Sequence, residues 1–219
     1  MRAVGGFGAG MGPDDSFETA LHANGYARVA GVDEAGRGPL AGPVVAGAVV
    51  LKPGVEIPGL NDSKKLNAKA RAALFPVIQD ICEVGVGIAT VAEIDEINIL
   101  RASHLAMLRA LDALPGHADH ALIDGNMIPR DAPLPCEAIV KGDARSLSIA
   151  AASIIAKCTR DAIMVDLAQQ YPGYGWEQNA AYPTKAHLDA LSRLGVTPHH
   201  RRSFAPVHKI LCHGKSVST

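Results

Sequence analysis

Three short apolar segments that each lead into a carboxylate most constrain the fold of this 219-residue chain. The segments are 26–32, 121–123 and 136–140, and the acids that follow them are Asp33 with Glu34, Asp124, and Asp143. Short runs of small and β-branched residues bounded by turn signals predict buried strands. In open α/β sheets, functional groups gather just beyond the strand ends. The pattern therefore predicts a sheet that brings four acids, distant in sequence, to one edge.

The rest of the chain predicts the other strands and the helices. Apolar segments at 44–51 and 83–91 complete a set of five strands, and helical spacing occurs at 14–23, 67–81, 105–114, 145–170 and 184–194. Asn67 is a plausible N-cap. We expect an α/β fold, a five-stranded mixed sheet flanked by helices with a small C-terminal helical extension. Residues 1–24 are expected to be a partly mobile tail, 25–170 the main domain, and 171–219 the extension, which is too short to bury a core of its own.

Composition and charge exclude several classes of protein. Hydrophobic residues make up 48% and charged residues 20% of the chain, as in ordinary globular proteins. We expect a cytoplasmic protein, because no apolar run reaches membrane-spanning length and the start lacks the apolar core of a signal peptide. Four widely spaced cysteines indicate neither a zinc site nor a disulfide framework. Residues 185–219 carry six Lys/Arg and one acid, against a net charge of −1 overall. This suits an enzyme that grips a polyanion, and equally a solvated basic tail.

The segment that begins with Asp33 and Glu34 has the composition of a metal and phosphate site. Mg²⁺ is usually held by one or two carboxylates together with substrate phosphates. Gly36 and Gly38 allow the backbone to approach a ligand closely, and Arg37 between them can donate to phosphate or sugar oxygens. A solvated acidic turn with Arg37 in a surface ion pair is the alternative. Because three strands end in acids, we favour a cluster of carboxylates whose repulsion two divalent cations would relieve.

Other polar residues have two possible interpretations each. Lys64 and Lys65 lie in a turn suited to phosphate contacts, or in a solvated basic turn before a helix. On the long helix, an apolar stripe is expected at Leu147, Ala151, Ile154, Cys158, Ala162 and Val165, with Ser153, Lys157 and Arg160 on the opposite side. Ser148, Ser153 and Lys157 either contact phosphate or face solvent. His199 and His200 are interpreted as surface or packing groups, because the site already has hard carboxylate ligands.

The chain resembles the ribonuclease HII family from about Ala30 to Val207. The resemblance rests on the order and spacing of GVDEAGRGPL (31–40), DSKKL (62–66), EIDEINIL (93–100), IDG (123–125), KGD (141–143), AASIIAK (151–157), YPT (182–184) and HRRSF (200–204). It implies a ribonuclease H-like catalytic domain at 25–170. It also implies an endonuclease that cuts the RNA strand of RNA/DNA hybrids and the 5′ side of single ribonucleotides in duplex DNA, leaving a 3′-hydroxyl and a 5′-phosphate.

The resemblance also implies roles for individual residues. The family's catalytic, metal-binding acids correspond to Asp33, Glu34, Asp124 and Asp143, which would hold two Mg²⁺ or Mn²⁺ ions. The loop that reads the ribose 2′-hydroxyl, the group that distinguishes RNA from DNA, corresponds to Gly36, Arg37 and Gly38. The tyrosine that stacks on a neighbouring sugar corresponds to Tyr182, although here Ala181 replaces the glycine that usually precedes it. Further substrate contacts are expected from Lys64, Lys65, Ser153 and Lys157.

Three other functions are alternatives to this interpretation. A resolvase or transposase-type DNA nuclease would share the carboxylate-rich sheet, and a non-catalytic hybrid-binding module would use the acids for a structural metal. An enzyme acting on small phosphorylated molecules is a weaker alternative, because neither a G-x-x-x-x-G-K-[ST] loop nor a G-x-G-x-x-G fingerprint follows any predicted strand. The expected partners are RNA/DNA hybrid and ribonucleotide-containing DNA. We expect a monomer without a membrane contact, and the sequence does not indicate a replication partner.

Overall fold

A computed structural model describes residues 12–52 and 54–213. Its sheet contains β1 (Val29–Ala35), β2 (Val44–Val50), β3 (Glu83–Ala89), β4 (His120–Asp124) and β5 (Cys136–Ile139) in the order β3-β2-β1-β4-β5. β1 and β2 pair antiparallel, as do β2 and β3, whereas β4 runs parallel to both β1 and β5. The predicted five-stranded mixed sheet is therefore confirmed. The parallel half of the sheet is the half whose strands lead into the acids.

The helices are α1 (Ser16–Ala23), α2 (Ala68–Ile81), α3 (Val91–Ile97), α4 (Ile99–Asp112), α5 (Leu147–Gln170), α6 (Trp176–Asn179), α7 (Lys185–Leu194) and α8 (Ala205–His213). The predicted N-cap of α2 is confirmed, since the Asn67 side chain accepts from the Ala70 amide. The sequence prediction missed α3, α6 and α8. A capping box of Thr90 and Glu93 begins α3, and this Thr-x-x-Glu spacing is a readable start signal.

The two faces of the sheet pack against different helices because successive strand residues point to opposite faces. Val44, Ala46, Ala48 and Val50 of β2 share a buried cluster with α4, whereas Val49 packs with α2 and α5. From residue 148 to 156, α5 is buried on all sides. Of the two interpretations of Ser148 and Ser153, the one in which they face solvent is therefore wrong. The expected opposite side of the helix also contains Arg160, which is buried, whereas Val165 of the expected apolar stripe is exposed.

The ends of the chain pack onto the main domain where the structure describes them. Residues 1–11 of the expected tail lie outside the described part, but α1 is docked by the buried Glu18, which accepts hydrogen bonds from Ser146 and Ser148 at the start of α5. At the other end, α6, α7 and α8 join one hydrophobic cluster with Leu40 and Met164. The C-terminal extension thus shares its core with the loop after β1. Within residues 12–52 and 54–213, no helix combines the length and apolarity needed to cross a membrane.

Candidate active site

Three of the four predicted acids meet at one edge of the sheet. Asp33 lies on β1, Asp124 ends β4, and Asp143 lies in a short 3₁₀ helix (Gly142–Ala144) that follows β5. Because these strands are parallel neighbours, their C-terminal ends lie side by side. Each aspartate offers one carboxylate oxygen, and the three oxygens lie within 4.8 Å of one another. Glu34 is outside this group and accepts from Arg37 at 3.2 Å.

Burial and mutual repulsion disfavour the ionised forms of Asp33 and Asp124. The pKa of Asp33 is raised well above its ordinary range, first by burial and then by the charges of Glu34 and Asp124. Burial and Asp143 raise the pKa of Asp124. The cluster contains only carboxylate oxygens, which are the ligands that hard divalent cations prefer. A bound cation would compensate the negative charges that otherwise repel one another. The donor set therefore fits the predicted metal.

Short hydrogen bonds fix the orientation of the carboxylates. The Gly142 amide donates to Asp124 Oδ1 at 2.7 Å, and the Glu34 amide donates to Asp33 Oδ1 at 2.7 Å. Ser153 also hydrogen-bonds to Asp33. These contacts fix the orientation of Asp33 and Asp124 relative to the sheet.

A cavity of about 290 Å³ opens onto Asp33, Glu34 and Asp124. The residues that line it are Asp33, Glu34, Ala35, Gly36, Arg37, Gly38, Ser63, Lys64, Arg71, Asp124, Ser153, Lys157, Arg160 and Tyr182. Every predicted substrate-contacting residue except Lys65 is in this set. Lys65 is exposed, and its amide closes the turn by donating to the Asp62 carbonyl at 2.9 Å.

Three polar residues that were not predicted to belong to the site also line the cavity. Ser63 lies 2.6 Å from Ser153, hydroxyl to hydroxyl. Arg71 donates to the carbonyls of Ser63 and Leu66 and so shapes the turn that carries Lys64. Arg160 was predicted to lie on one side of the long helix. Its side chain is buried because it contacts segments far away in sequence, at Ala41 and Ala180. Only the DSKKL motif gave a signal for Ser63.

Backbone conformation places Tyr182 above the loop at residues 36–38. Gly36 has φ +100°, and a β-carbon there would overlap the side chain of Arg160. A β-carbon on Gly38 would lie 3.3 Å from the Tyr182 ring. A side chain at position 38 would therefore crowd the ring, which would have to shift by a few tenths of an ångström. Tyr182 itself is 45% exposed, which leaves part of its ring open to a ligand.

The segment before Tyr182 is in an unusual conformation. Ala180 has φ 46° and Ala181 has φ 63°, both in the left-handed region that favours glycine. The Asn179 side chain holds this turn, since its Oδ1 accepts from the Ala181 amide at 2.8 Å. The departure from the family pattern at Ala181 therefore falls at a position where a β-carbon is strained.

The histidines near the C-terminal extension form a buried network. His200 is 1% exposed and His187 is fully buried. Trp176 Nε1 donates to His187 Nε2 at 3.0 Å, so the other ring nitrogen of His187 donates to the Tyr182 carbonyl, also at 3.0 Å. Burial lowers the pKa of His200 to about 4. Of the two interpretations offered for His200, packing is confirmed, and the neutral network supports the backbone at Tyr182.

The comparisons with known proteins agree with this geometry. The family model described as Ribonuclease HII matches residues 30–207. A ribonuclease HII from Ruegeria sp. (strain TM1040) is 64% identical over 212 residues, which cover 96% of this chain and 93% of the relative. A ribonuclease HII from Paracoccus denitrificans (strain Pd 1222) is 64% identical over 200 residues, which cover 91% and 95% respectively.

Solved structures share the fold. The ribonuclease H2 from Pyrococcus horikoshii OT3 matches with a TM-score of 0.74 and 31% identity, over 87% of this chain and all of that one. A ribonuclease HIII, Bst-RNase HIII in complex with Mn²⁺, matches with a TM-score of 0.66 and 21% identity, over 90% of this chain and 73% of that one. The second match supports the fold alone.

Proposed function

The chain belongs to the ribonuclease HII family of metal-dependent endoribonucleases, and from that premise we propose that it cuts RNA/DNA hybrids and also single ribonucleotides embedded in duplex DNA. Cleavage would fall on the 5′ side of the ribonucleotide and leave a 3′-hydroxyl and a 5′-phosphate. One observation carries the proposal: the clustered carboxylates of Asp33 and Asp124 open into the same cavity as the loop at 36–38 and the Tyr182 ring. Catalytic acids and a sugar-recognition surface are thus within reach of one nucleotide.

Asp33, Asp124 and Asp143 would hold two Mg²⁺ or Mn²⁺ ions when substrate is bound, with Glu34 completing the ligand set. When bound, such ions lower the pKa of the attacking water and stabilise charge on the leaving 3′-oxygen. The protein contributes the fixed orientation of the acids. Ser153 and the Glu34 amide hold Asp33, and two backbone amides hold Asp124.

The surrounding cations would bind the phosphate backbone. Lys64 and Lys157 line the cavity. The Lys64 ammonium pairs with Asp143 at 3.0 Å, and the Lys157 ammonium pairs with Asp161 at 2.6 Å. Phosphate contacts of this kind fix the register of a nucleic acid without reading its sequence. Lys65 is exposed and does not line the cavity, so we assign it at most a peripheral role in this step.

Sugar recognition would come from the loop at 36–38 together with Tyr182. The 2′-hydroxyl is both a donor and an acceptor, and backbone groups beside glycines can reach it without obstruction. The exposed part of the Tyr182 ring would stack on the adjoining sugar. Because the two elements touch at Gly38, the ribose and its neighbour would be examined together.

A cleavage panel tests the proposal. Three substrates of equal length are compared in Mg²⁺ and in Mn²⁺: a duplex with one embedded ribonucleotide, a continuous RNA/DNA hybrid, and an all-DNA duplex. We expect cutting of the first two, with the first cut on the 5′ side of the ribonucleotide, and no cutting of the third. Cutting of the all-DNA duplex would favour a DNA nuclease, and binding without cutting in either metal would favour a hybrid-binding module.

A further inference from the structure

We propose that Arg160 and Arg201 are positioning residues that fix the loop at 36–38 and the Tyr182 loop in one arrangement. Their side chains would hold the backbone carbonyls of the two loops. Recognition of the ribose would then depend on these two arginines as well as on the loops themselves. The inference rests on the proposed function, because it assigns to these loops the task of sugar recognition.

Both guanidinium groups are buried beneath the site. Arg160 is 1% exposed and Arg201 is fully buried. Arg201 donates to the carbonyls of Gly36 at 2.6 Å, Gly42 at 2.9 Å, Arg37 at 3.0 Å and Pro43 at 3.1 Å. All four acceptors belong to the segment between β1 and β2, so Arg201 holds this loop from below.

Arg160 connects that segment to the Tyr182 loop. It donates to the carbonyls of Ala41 at 3.1 Å and Pro43 at 3.2 Å on one side, and to the Ala180 carbonyl at 3.1 Å on the other. The Leu40 amide adds a direct link, since it donates to the Ala181 carbonyl at 2.8 Å. The strained turn before Tyr182 is therefore tied to the loop that carries the glycines.

These arginines lack the compensation that buried charges usually have. Among the residues that the structure describes, no carboxylate forms an ion pair with either guanidinium. Burial lowers the pKa of Arg160 to about 10 and that of Arg201 to about 9, so both remain protonated at neutral pH. A buried unpaired charge is costly unless hydrogen bonds satisfy it. An apolar side chain would fill the same space without the desolvation penalty of a buried charge. The presence of arginine therefore indicates that the N–H donors of the guanidinium groups are needed at these positions.

The directed donors determine where the loop's own amides point. In a planar trans peptide, the carbonyl of one residue and the amide N–H of the next point in opposite directions. Because Arg201 draws the carbonyls of Gly36 and Arg37 inward, the amides of Arg37 and Gly38 are turned outward. Within residues 12–52 and 54–213, neither amide donates a hydrogen bond to another protein group. Both are therefore available to an oxygen atom of the substrate.

Conservative substitutions test this role. We would compare the wild-type protein with Arg201→Lys and Arg160→Lys, because lysine keeps the charge but cannot present the guanidinium fork to several carbonyls. Arg109→Lys is the matched control, since Arg109 forms a surface ion pair with Glu93. For each protein, kcat and KM are measured in Mn²⁺ on the duplex with one ribonucleotide, together with the Mn²⁺ concentration for half-maximal rate and the thermal midpoint.

We expect Arg201→Lys and Arg160→Lys each to raise KM about tenfold or more. A binding group that is misplaced by about 1 Å can lower the efficiency of an enzyme by about a hundredfold. The Mn²⁺ concentration for half-maximal rate should not change, and Arg109→Lys should match the wild type. A purely structural role would reduce the fraction of folded enzyme, which lowers the apparent kcat and leaves KM as it was. An unchanged KM in both lysine variants would overturn the inference.

Two further comparisons keep the test decisive. If Arg201→Lys does not fold, Arg160→Lys carries the test alone through a double-mutant cycle with Tyr182→Ala. We expect the combined effect on KM to be smaller than the product of the single effects, because both changes disable the same loop. Independent, multiplicative effects would contradict a link through Arg160. Failure of the proposed function is recognised separately, because the wild-type protein would then not cut the ribonucleotide duplex at all.

Discussion

The Lys64 ammonium nitrogen lies 3.0 Å from Asp143 Oδ2, so an amino group occupies one flank of the carboxylate cluster. The Lys64 side chain is 76% exposed, whereas that of Asp143 is 6% exposed. The ion pair therefore joins an exposed cation to a buried acid. A cation in this position would compete with a metal ion for Asp143 in the substrate-free protein.

Replacement of Lys64 by methionine should increase the affinity of the substrate-free protein for Mn²⁺. Because the lysine is largely exposed, the pair contributes about 1 kcal/mol or less, which corresponds to a change of about fivefold or less. Isothermal titration calorimetry measures the affinity directly. Lys65→Met removes the same charge from a neighbour that does not line the cavity and should have a smaller effect. Equal affinities for Lys64→Met and the wild type would show that the ammonium does not compete.

Replacement of Asp33 by asparagine should stabilise the metal-free protein at high pH while removing activity. The raised pKa means that folded Asp33 holds a proton that the unfolded chain has already released. The contribution of Asp33 to the free energy of unfolding is therefore fully present below its unfolded-state pKa. It is lost as the pH rises from that value to the folded-state pKa. Asparagine does not ionise and escapes this loss.

Thermal unfolding in EDTA at several pH values measures the effect. The midpoint of Asp33→Asn should exceed that of the wild type at pH 8 by about 2–4 °C for each kcal/mol of relief, and the difference should shrink at low pH. Asp112→Asn, at an exposed position on α4, is the control and should show no such trend. A difference between Asp33→Asn and the wild type that does not vary with pH would contradict the prediction.

Replacement of Asp143 by asparagine should remove cleavage and leave hybrid binding largely intact. The change deletes one carboxylate oxygen from the cluster of three, and a lost metal ligand costs several kcal/mol of transition-state stabilisation, or about a thousandfold in rate. Single-turnover cleavage and fluorescence anisotropy with the same labelled hybrid report the two properties. Glu137→Gln, an exposed acid on β5, is the control. Undiminished turnover of Asp143→Asn in Mg²⁺ would refute the assignment of this residue.

Glycine at position 180 should stabilise the protein, whereas glycine at position 181 should have little effect. A left-handed conformation costs a non-glycine residue about 1–2 kcal/mol, and the added chain entropy of glycine offsets about 0.5–1 kcal/mol of the relief. Ala180 is only partly buried, so Ala180→Gly should gain about 0.5–1 kcal/mol. The Ala181 methyl is fully buried, and its loss costs about 0.8 kcal/mol, which cancels the gain. Denaturant unfolding of both variants compares them, and a larger gain at 181 than at 180 would show that this strain argument is wrong.

Local sequence signals predicted much of the fold. Four of the five strands, β2 to β5, were predicted to within two residues at each end and β1 to within three, because each is a short apolar run bounded by turn residues. The start of α2 was predicted to within one residue because the Asn67 cap is itself a local signal. Helix α3 was missed because the alternating pattern of β3 continues to Val91. The predicted strand therefore ran past Thr90, where the capping box begins the helix.

The sequence by itself predicted which acids come together, since Asp33, Asp124 and Asp143 each follow a predicted strand and parallel neighbours bring such ends together. Only the tertiary structure decided that Glu34 lies outside their cluster, that Lys65 does not line the cavity, and that Arg160 is buried. The contact between Arg201 and Gly36 joins residues 165 positions apart. No local pattern encodes such a contact, because it arises when the C-terminal extension packs against the loop after β1. Burial of a polar side chain depends on that packing, whereas the periodicity that forms a strand or a helix is already present in the segment itself.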